Sequence, residues 1–400
     1  MKIGIISDTH LGHPDCTLLE NDKVSGNFKV LSASIQTFTG RKPLDFLVLN
    51  GDILDFSANT MVDSLKAARP FFRRIHQDKL AKQIIFIPGN HDKRVWNAVE
   101  WETNIISKLR LHEDPRKPRR TQPGVIDMKG ETVKLSGVSR PPGKTHYGNL
   151  FIEGLFKKGA ALPILVVYPN LYIQTPQDLI MVTHGHLMDL AWILISELLG
   201  NVVKEGGLSL VELEEFNAPL NSFLCTGVGQ GGEMSELFLR IKREAQQGKS
   251  RELRRAMNDL VPILDKMIPL GLFEFLDNAL LNGLKMLAVF VANNRVDSPR
   301  FNERYFEDLE RRKRFSRFFT ASCDETILLD LGIPKKMVYG HTHLTIPASK
   351  PYPFKGLKEL GGEDLSMYNT GGWLKGQSAE AQILFIGEKG ELSSERIPNK

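Results

Sequence analysis

The sequence predicts an α/β protein with a mixed, two-sheet core interrupted by one long helical segment, and three observations carry that expectation. Short runs rich in Ile, Val, Leu and Phe recur at residues 2–7, 44–50, 83–88, 178–183 and 336–339. The first three alternate with helical stretches, the order of βαβ units and a largely parallel sheet. Residues 187–334 break the rhythm and read as mostly helical. With 400 residues, 42% of them hydrophobic, the chain can bury a large core.

The elements follow in order. The helix expected at residues 61–80 places Val62, Leu65, Ala68, Phe72, Ile75 and Leu80 at roughly helical spacing. Runs 164–168 and 171–174 flank Pro169-Asn170 as a hairpin, and runs 382–386 and 392–397 flank residues 387–391 as another. Within 187–334 the strongest helical pattern covers 270–294, with Phe273, Leu276, Leu280, Leu284, Leu287 and Val291 on one face. Glu274, Asp277 and Lys285 argue against a membrane span there, leaving a buried cap helix or a lipid-facing one. Residues 116–123 and 140–144 read as surface loops, and the Gly-rich 227–232 lacks the Lys-Ser/Thr of a P-loop.

Composition narrows the function classes. The chain passes from Met1-Lys2 straight into a strand without a signal-peptide pattern, which predicts a cytoplasmic protein. Cys16, Cys225 and Cys323 are odd in number and far apart, as expected of structural, reduced thiols. A net charge of +5 is too mild to diagnose nucleic-acid binding. The basic stretches 240–255 and 300–317 read as solvated helix faces, or as a rim attracting a phosphorylated substrate or an anionic membrane surface.

Asp8-Thr9-His10, Gly51-Asp52, Gly89-Asn90-His91-Asp92, His184-Gly185-His186 and Gly340-His341-Thr342-His343 each follow an expected strand, with Asp55 trailing the second. Hard carboxylate and amide oxygens beside imidazole nitrogens suit a two-metal hydrolytic site, and strand ends are where an α/β sheet presents ligands. One such histidine is ordinarily a satisfied structural residue. Five clusters placed alike are not explained that way.

In this order D-x-H, G-D-x-x-D, G-N-H-D, H-G-H and G-H-T-H, the set resembles the calcineurin-like metallophosphoesterase superfamily, over about residues 1–186 and from 336 to the C-terminus. The resemblance implies a four-layer α/β/β/α sandwich built from 1–186 and 335–400, with 187–334 as a mostly helical inserted cap. It implies two divalent metal ions (Mn, Fe, Zn or Co). One would be held by Asp8, His10, Asp52 and His343, the other by Asp52, Asn90, His184 and His341, with Asp52 as the bridge. His91 would be the catalytic acid and Asp92 would orient its ring. The implied activity is hydrolysis of a phosphomonoester, phosphodiester or pyrophosphate by hydroxide held between the metals.

Around this set, His186 is read as bonding phosphate or water or bracing its loop, and Arg94 and Lys93 as reaching substrate phosphate or starting a helix. Asp55 is read as bonding a metal-bound His or closing a turn, and residues 368–373 as pocket rim or turn. The short G-D and H-G elements and residues 368–373 resemble UDP-diacylglucosamine pyrophosphate hydrolases, although those enzymes carry Arg where His91 stands and have a shorter insertion, and the Phe and Leu content of 187–334 suggests a lipid-linked or apolar substrate. Residues 5–12 and 89–92 also resemble double-strand-break repair exonucleases, but His184 and His341 lie much farther apart than in that family, so nucleic acid is not the expected partner. A non-catalytic metal-bound scaffold is a third reading, disfavoured because the whole ligand set and His91 are present.

Overall fold

The computed structural model describes residues 1–57, 59–117, 119–135, 152, 154–156, 162–203, 207–226 and 305–399. Two sheets lie face to face between helices. The first takes its order from the N-terminal βαβ units: β1 (Ile3–Ile6), α1 (Gly26–Thr39), β2 (Leu44–Asn50), α2 (Met61–Gln77) and β3 (Ala81–Ile87), with α3 (Lys93–Trp101) following. β1, β2 and β3 run parallel, with register Ile5↔Val48 and Val48↔Ile85.

The second sheet holds β4 (Gly124–Asp127), β5 (Thr132–Leu135), β7 (Asn170–Gln174), β8 (Leu179–Thr183), β9 (Lys336–Tyr339), β10 (Thr345–Ile346), β11 (Tyr352–Phe354) and β12 (Leu365–Thr370). Its order is β10-β12-β9-β8-β7-β4-β5, with β11 paired to β12. β8, β9 and β12 are parallel neighbours. The first sheet is completed by β6 (Ile164–Val166) on β3 and by β13 (Glu380–Ile386) with β14 (Leu392–Pro398) on β1.

The four layers follow from side-chain alternation along the strands. Ile3, Ile5, Val48, Ile85 and Ile87 face Ile173, Ile180, Val182 and Val338 in a core between the sheets. The neighbouring Ile6, Leu47, Leu49, Ile84 and Phe86 point the other way, against Phe28, Leu31 and Ile35 of α1 and Phe71, Phe72 and Ile75 of α2. On the far side, Tyr172, Met181, Met337 and Met367 pack under α6 (Leu309–Leu328) through Phe315, Phe318 and Phe319. α4 (Leu190–Val203) and α5 (Leu210–Thr226) join the same cluster through Ile193, Leu210 and Leu213. What the sequence separates as an inserted segment therefore begins and ends as the outer helical layer of the second sheet.

Two expectations need correction. Residues 164–168 and 171–174 are not a hairpin: β6 pairs with β3 in the first sheet while β7 pairs with β4 and β8 in the second. The apolar character of both runs reflects burial in two cores, and Pro169-Asn170 carries the chain from one sheet to the other. In α2 the buried face is Ser64, Ala68, Phe71, Phe72 and Ile75, while Val62 is exposed. The second expected hairpin is present, with β13 and β14 antiparallel from Glu380↔Pro398 to Ile386↔Leu392. The helix expected at 270–294, the loop at 140–144, the glycine cluster at 227–232 and the basic stretch at 240–255 lie outside the described residues. Among the described residues no helix is long and apolar enough to cross a membrane. Cys16 and Cys323 are free and buried, and burial pushes both thiols up to about 12, in keeping with inert structural residues.

The outer layer is fastened by a polar cluster beneath α6. Tyr172 Oη donates to Glu325 Oε2 at 2.8 Å, and Asn170 Nδ2 lies 3.3 Å from the same oxygen. Burial outweighs these bonds and raises the Glu325 carboxyl from 4.5 to about 7. A raised folded-state value means that the contribution to stability is complete below the unfolded value and is lost as pH rises through about 7. Differential scanning calorimetry at pH 5.5 and 8 should therefore show a larger drop in Tm for the parent than for Glu325→Gln, which keeps the acceptor oxygen without the charge.

Candidate metal centre

Five strands deliver the clustered residues at their carboxyl ends: β1, β2 and β3 from the first sheet, β8 and β9 from the second. Backbone and amide bonds hold the strand ends of the two sheets together. His184 Nδ1 lies 3.0 Å from the Asn50 carbonyl, Asn50 Nδ2 donates to the Thr183 carbonyl at 2.9 Å, and the His341 N–H donates to the Asp8 carboxylate at 3.0 Å. The ends therefore meet with their polar residues between them.

Left-handed backbone turns these side chains inward. Asp8, His10, Asp52, His341 and His343 have φ of 51°, 45°, 52°, 66° and 56°. Asp and His tolerate this region better than most residues, yet each instance still costs about 1–2 kcal/mol. Asp8 and His10 thus reach the same site by their own conformations, before Gly12. Two glycines make the close packing possible. A Cβ on Gly51, whose φ is 81°, would overlap the His184 ring, and one on Gly89 would overlap Asp52 Oδ1.

The donor atoms fall into groups whose atoms lie within 4.8 Å of one another: Asp8, His10 and His343 in one, Asp52, His184 and His341 in a second. His343 Nε2 lies 3.4 Å from Asp8 Oδ1 and 3.2 Å from His10 Nε2. In the second group His184 Nε2 lies 3.2 Å from Asp52 Oδ2 and 3.1 Å from Asn90 Oδ1. Asp52 Oδ2 is also 4.0 Å from His10 Nε2, which puts this carboxylate between the two groups. His10 also belongs to a third such group, with Asp55 and His91.

The donor chemistry fits a pair of cations. His10 Nδ1 faces Asp55 Oδ2 at 3.0 Å and His184 Nδ1 faces a carbonyl, so each ring has an acceptor for one N–H and turns Nε2 inward. Lone pairs of His10, His184, Asn90, Asp8 and Asp52 then converge where water is largely excluded, an arrangement that divalent cations neutralise. Burial pushes the Asp52 carboxyl up, but His184 and His91 more than offset it and hold it well below the usual range. The reciprocal effect outweighs burial at His184 and raises it to about 9: the site attracts positive charge at this nitrogen, a proton or a cation.

His91 stands at the open side of the cluster, its side chain 24% exposed while Asp52 is 2% exposed. Its Nε2 is 3.9 Å from Asp52 Oδ2 and its Nδ1 is 3.1 Å from Asp55 Oδ1 and 2.6 Å from Ser57 Oγ. The ring is thus oriented by Asp55 and Ser57, and the expectation that Asp92 does so is corrected. Asp92 instead accepts the backbone N–H groups of Ile53 and Leu54 at 2.8 and 3.2 Å on one oxygen and that of Gly89 at 2.7 Å on the other. It fastens two ligand loops together. Burial, with the nearby Asp52 charge, pushes it up to about 7. Asp55 fills both roles considered for it, bonding His10 and His91 while closing a turn through the Ser57 N–H at 2.9 Å.

His186 is buried, with Nε2 3.0 Å from Tyr168 Oη. That is a bracing contact. Lys93 does not reach outward: it is buried, ion-paired with Glu214 of α5 and 3.7 Å from the centre of the Tyr168 ring. Among the described residues no hydrogen bond joins Arg94 to the cluster, and its Nε is buried without a partner. Residues 368–373 brace the ligand loops: Asn369 Nδ2 donates to the Gly340 carbonyl at 3.0 Å and to Thr342 Oγ1 at 2.8 Å, and the Trp373 N–H donates to the Asp8 carbonyl at 3.0 Å. Ser57, Asn50, Tyr168, Glu214 and Asp189 carry no signal in the sequence, because common residues outside a motif acquire a role when the fold brings them together.

Residues 1–188 match the model of the calcineurin-like phosphoesterase family. The match ends before His341 and His343, which the fold places beside the motifs it covers. No curated protein matches the chain.

The packing against Asp52 gives a direct test. Gly89→Ala should lower Mn²⁺ affinity about 10-fold or more, as displacement of a supported ligand does, while circular dichroism stays unchanged. Titration calorimetry on the full chain measures it.

Proposed function

We propose, on the match of residues 1–188 to the calcineurin-like phosphoesterase family, that the chain hydrolyses a phosphomonoester, phosphodiester or pyrophosphate with two divalent cations. In this reading Asp8, His10 and His343 hold one cation and Asn90, His184 and His341 the other, with Asp52 shared. The observation that supports it best is the meeting of two Asp/His groups at Asp52 with His91 Nε2 beside them on the accessible side. A bare metal-binding scaffold has no use for an imidazole oriented in that place.

When bound, such cations supply Lewis acidity and a water ionised near neutral pH. The protein's own contribution centres on His91. Asp55 and Ser57 hold its Nδ1 side, and Asp55 stabilises the imidazolium, so the ring presents Nε2–H toward the open side. From there it gives its proton to the leaving oxygen of the ester. Asp55 also bonds His10, so one carboxylate orients a ligand and the acid together. Asp92, bonded among the described residues to backbone amides, keeps the loops carrying Asp52 and Asn90 in register.

Turnover of p-nitrophenyl phosphate or its bis ester with Mn²⁺ tests this reading. Asp52→Ala should abolish activity. His91→Ala should lower kcat by about 10²–10⁴-fold, the usual share of a general acid, with Mn²⁺ affinity retained. A folded, metal-loaded protein that turns over neither ester nor a lipid-linked pyrophosphate would sink the proposal. Comparing the two soluble esters with the lipid-linked pyrophosphate also assigns the substrate class.

A further inference from the structure

We propose that Asp189, at the join between the second sheet and the first helix of the inserted segment, is a positioning residue for the second cation, acting through His341. This rests on the reading of the cluster as a two-cation site. Past His184 the chain turns at Gly185, φ 106°, and makes a short helical turn over His186–Met188. The Asp189 N–H donates to the His186 carbonyl at 3.0 Å, and the Asp189 carbonyl accepts the Trp192 N–H at 3.0 Å. The backbone of Asp189 thus serves the turn and the start of α4. Its half-buried carboxylate turns back to the site, with Oδ2 3.3 Å from His341 Nε2.

A carboxylate only accepts, so His341 Nε2 carries the hydrogen and Nδ1 is the ring nitrogen left with a lone pair. His10 and His184 are held in the same fashion, one N–H each on Asp55 and on the Asn50 carbonyl. Asp189 does for His341 what those acceptors do for the other rings. The difference lies in where the acceptor comes from: Asn50 ends β2 of the first sheet and Asp55 follows it, whereas Asp189 belongs to the chain entering α4.

That turn is pinned from its other side as well. His186 Nε2 meets Tyr168 Oη at 3.0 Å, Tyr168 Oη donates to Glu214 Oε2 at 2.7 Å, and Glu214 pairs with Lys93. Glu214 lies on α5 and Lys93 opens α3, directly after the loop that carries Asn90 and His91. A buried ion pair contributes little net stability but specifies a geometry. Here it fixes the helices of the outer layer relative to the turn that aims Asp189. The set of the second cation's histidine therefore depends on how those helices sit.

Mn²⁺ titration calorimetry of the full chain, with Asp189→Ala and Asp189→Asn, tests this. Asp189→Ala should weaken one of two binding events by about 10–100-fold and leave the other unchanged, with the Tm of the metal-free protein retained. Asp189→Asn, which keeps an acceptor oxygen, should recover most of the loss. In the Zn²⁺-loaded protein, ¹⁵N resonances should show His341 as the Nε2–H tautomer. Wild-type binding of both ions by Asp189→Ala, equal weakening of both with a lowered metal-free Tm, or an Nδ1–H tautomer at His341 would overturn the proposal. A protein that binds two Mn²⁺ with this Asp189 dependence yet cleaves no phosphoester would refute the phosphoesterase reading alone.

Discussion

Asp8 and Asp52 are almost wholly buried, and they sit where the carboxyl ends of two sheets meet. Two carboxylates excluded from water at close quarters cost several kcal/mol each after relaxation unless positive charge or donors reach them. Much of the surrounding structure supplies that compensation. Histidines approach from both sheets, backbone amides of His91 and His341 bond the carboxylates directly, and the Ser7 hydroxyl, itself bonded to that of Thr370, donates to Asp8. The parallel arrangement of β1–β3 and of β8 with β9 brings the ligand loops to one edge, while the core between the sheets holds the two edges in contact.

The left-handed residues belong to the same balance. Each is unfavourable alone, and five occur at the candidate ligands. They persist because the loops are determined several times over: Asp92 ties the Asp52 loop to the Gly89 loop, Asn369 ties β12 to the last ligand loop, and the Asn50 amide and carbonyl cross to Thr183 and His184. Strain of this kind, held by surrounding bonds, pre-organises the ligands.

The sequence is legible where chemistry repeats. Asp, His and Asn following apolar runs of strand length identify the cluster, and the family resemblance implies a division between two cations before any distance is known. It is less legible where partners are remote or common. Asp92 and Asp55 are both acidic residues near His91 in sequence or motif, and only the fold shows that Asp92 bonds backbone while Asp55 bonds the ring. The false hairpin at 164–174 has the same origin: two apolar runs separated by Pro-Asn look alike whether they pair with each other or enter different sheets. Lys93 shows the reverse case, a helix-start lysine that the fold buries against Glu214.

The ring nitrogens of His10 and His343 lie 3.2 Å apart, yet 333 residues of chain separate them. Contacts of that span close late, since the entropy of joining distant segments is spent before the contacts reward it. The first group of donors is therefore complete only once the loop after β9 has joined the end of β1, whatever the N-terminal βαβ units have achieved by themselves. Tight metal capture becomes a property of the finished molecule, and a chain stalled before β9 docks beside β8 exposes carboxylates and imidazoles that bind ions loosely and release them.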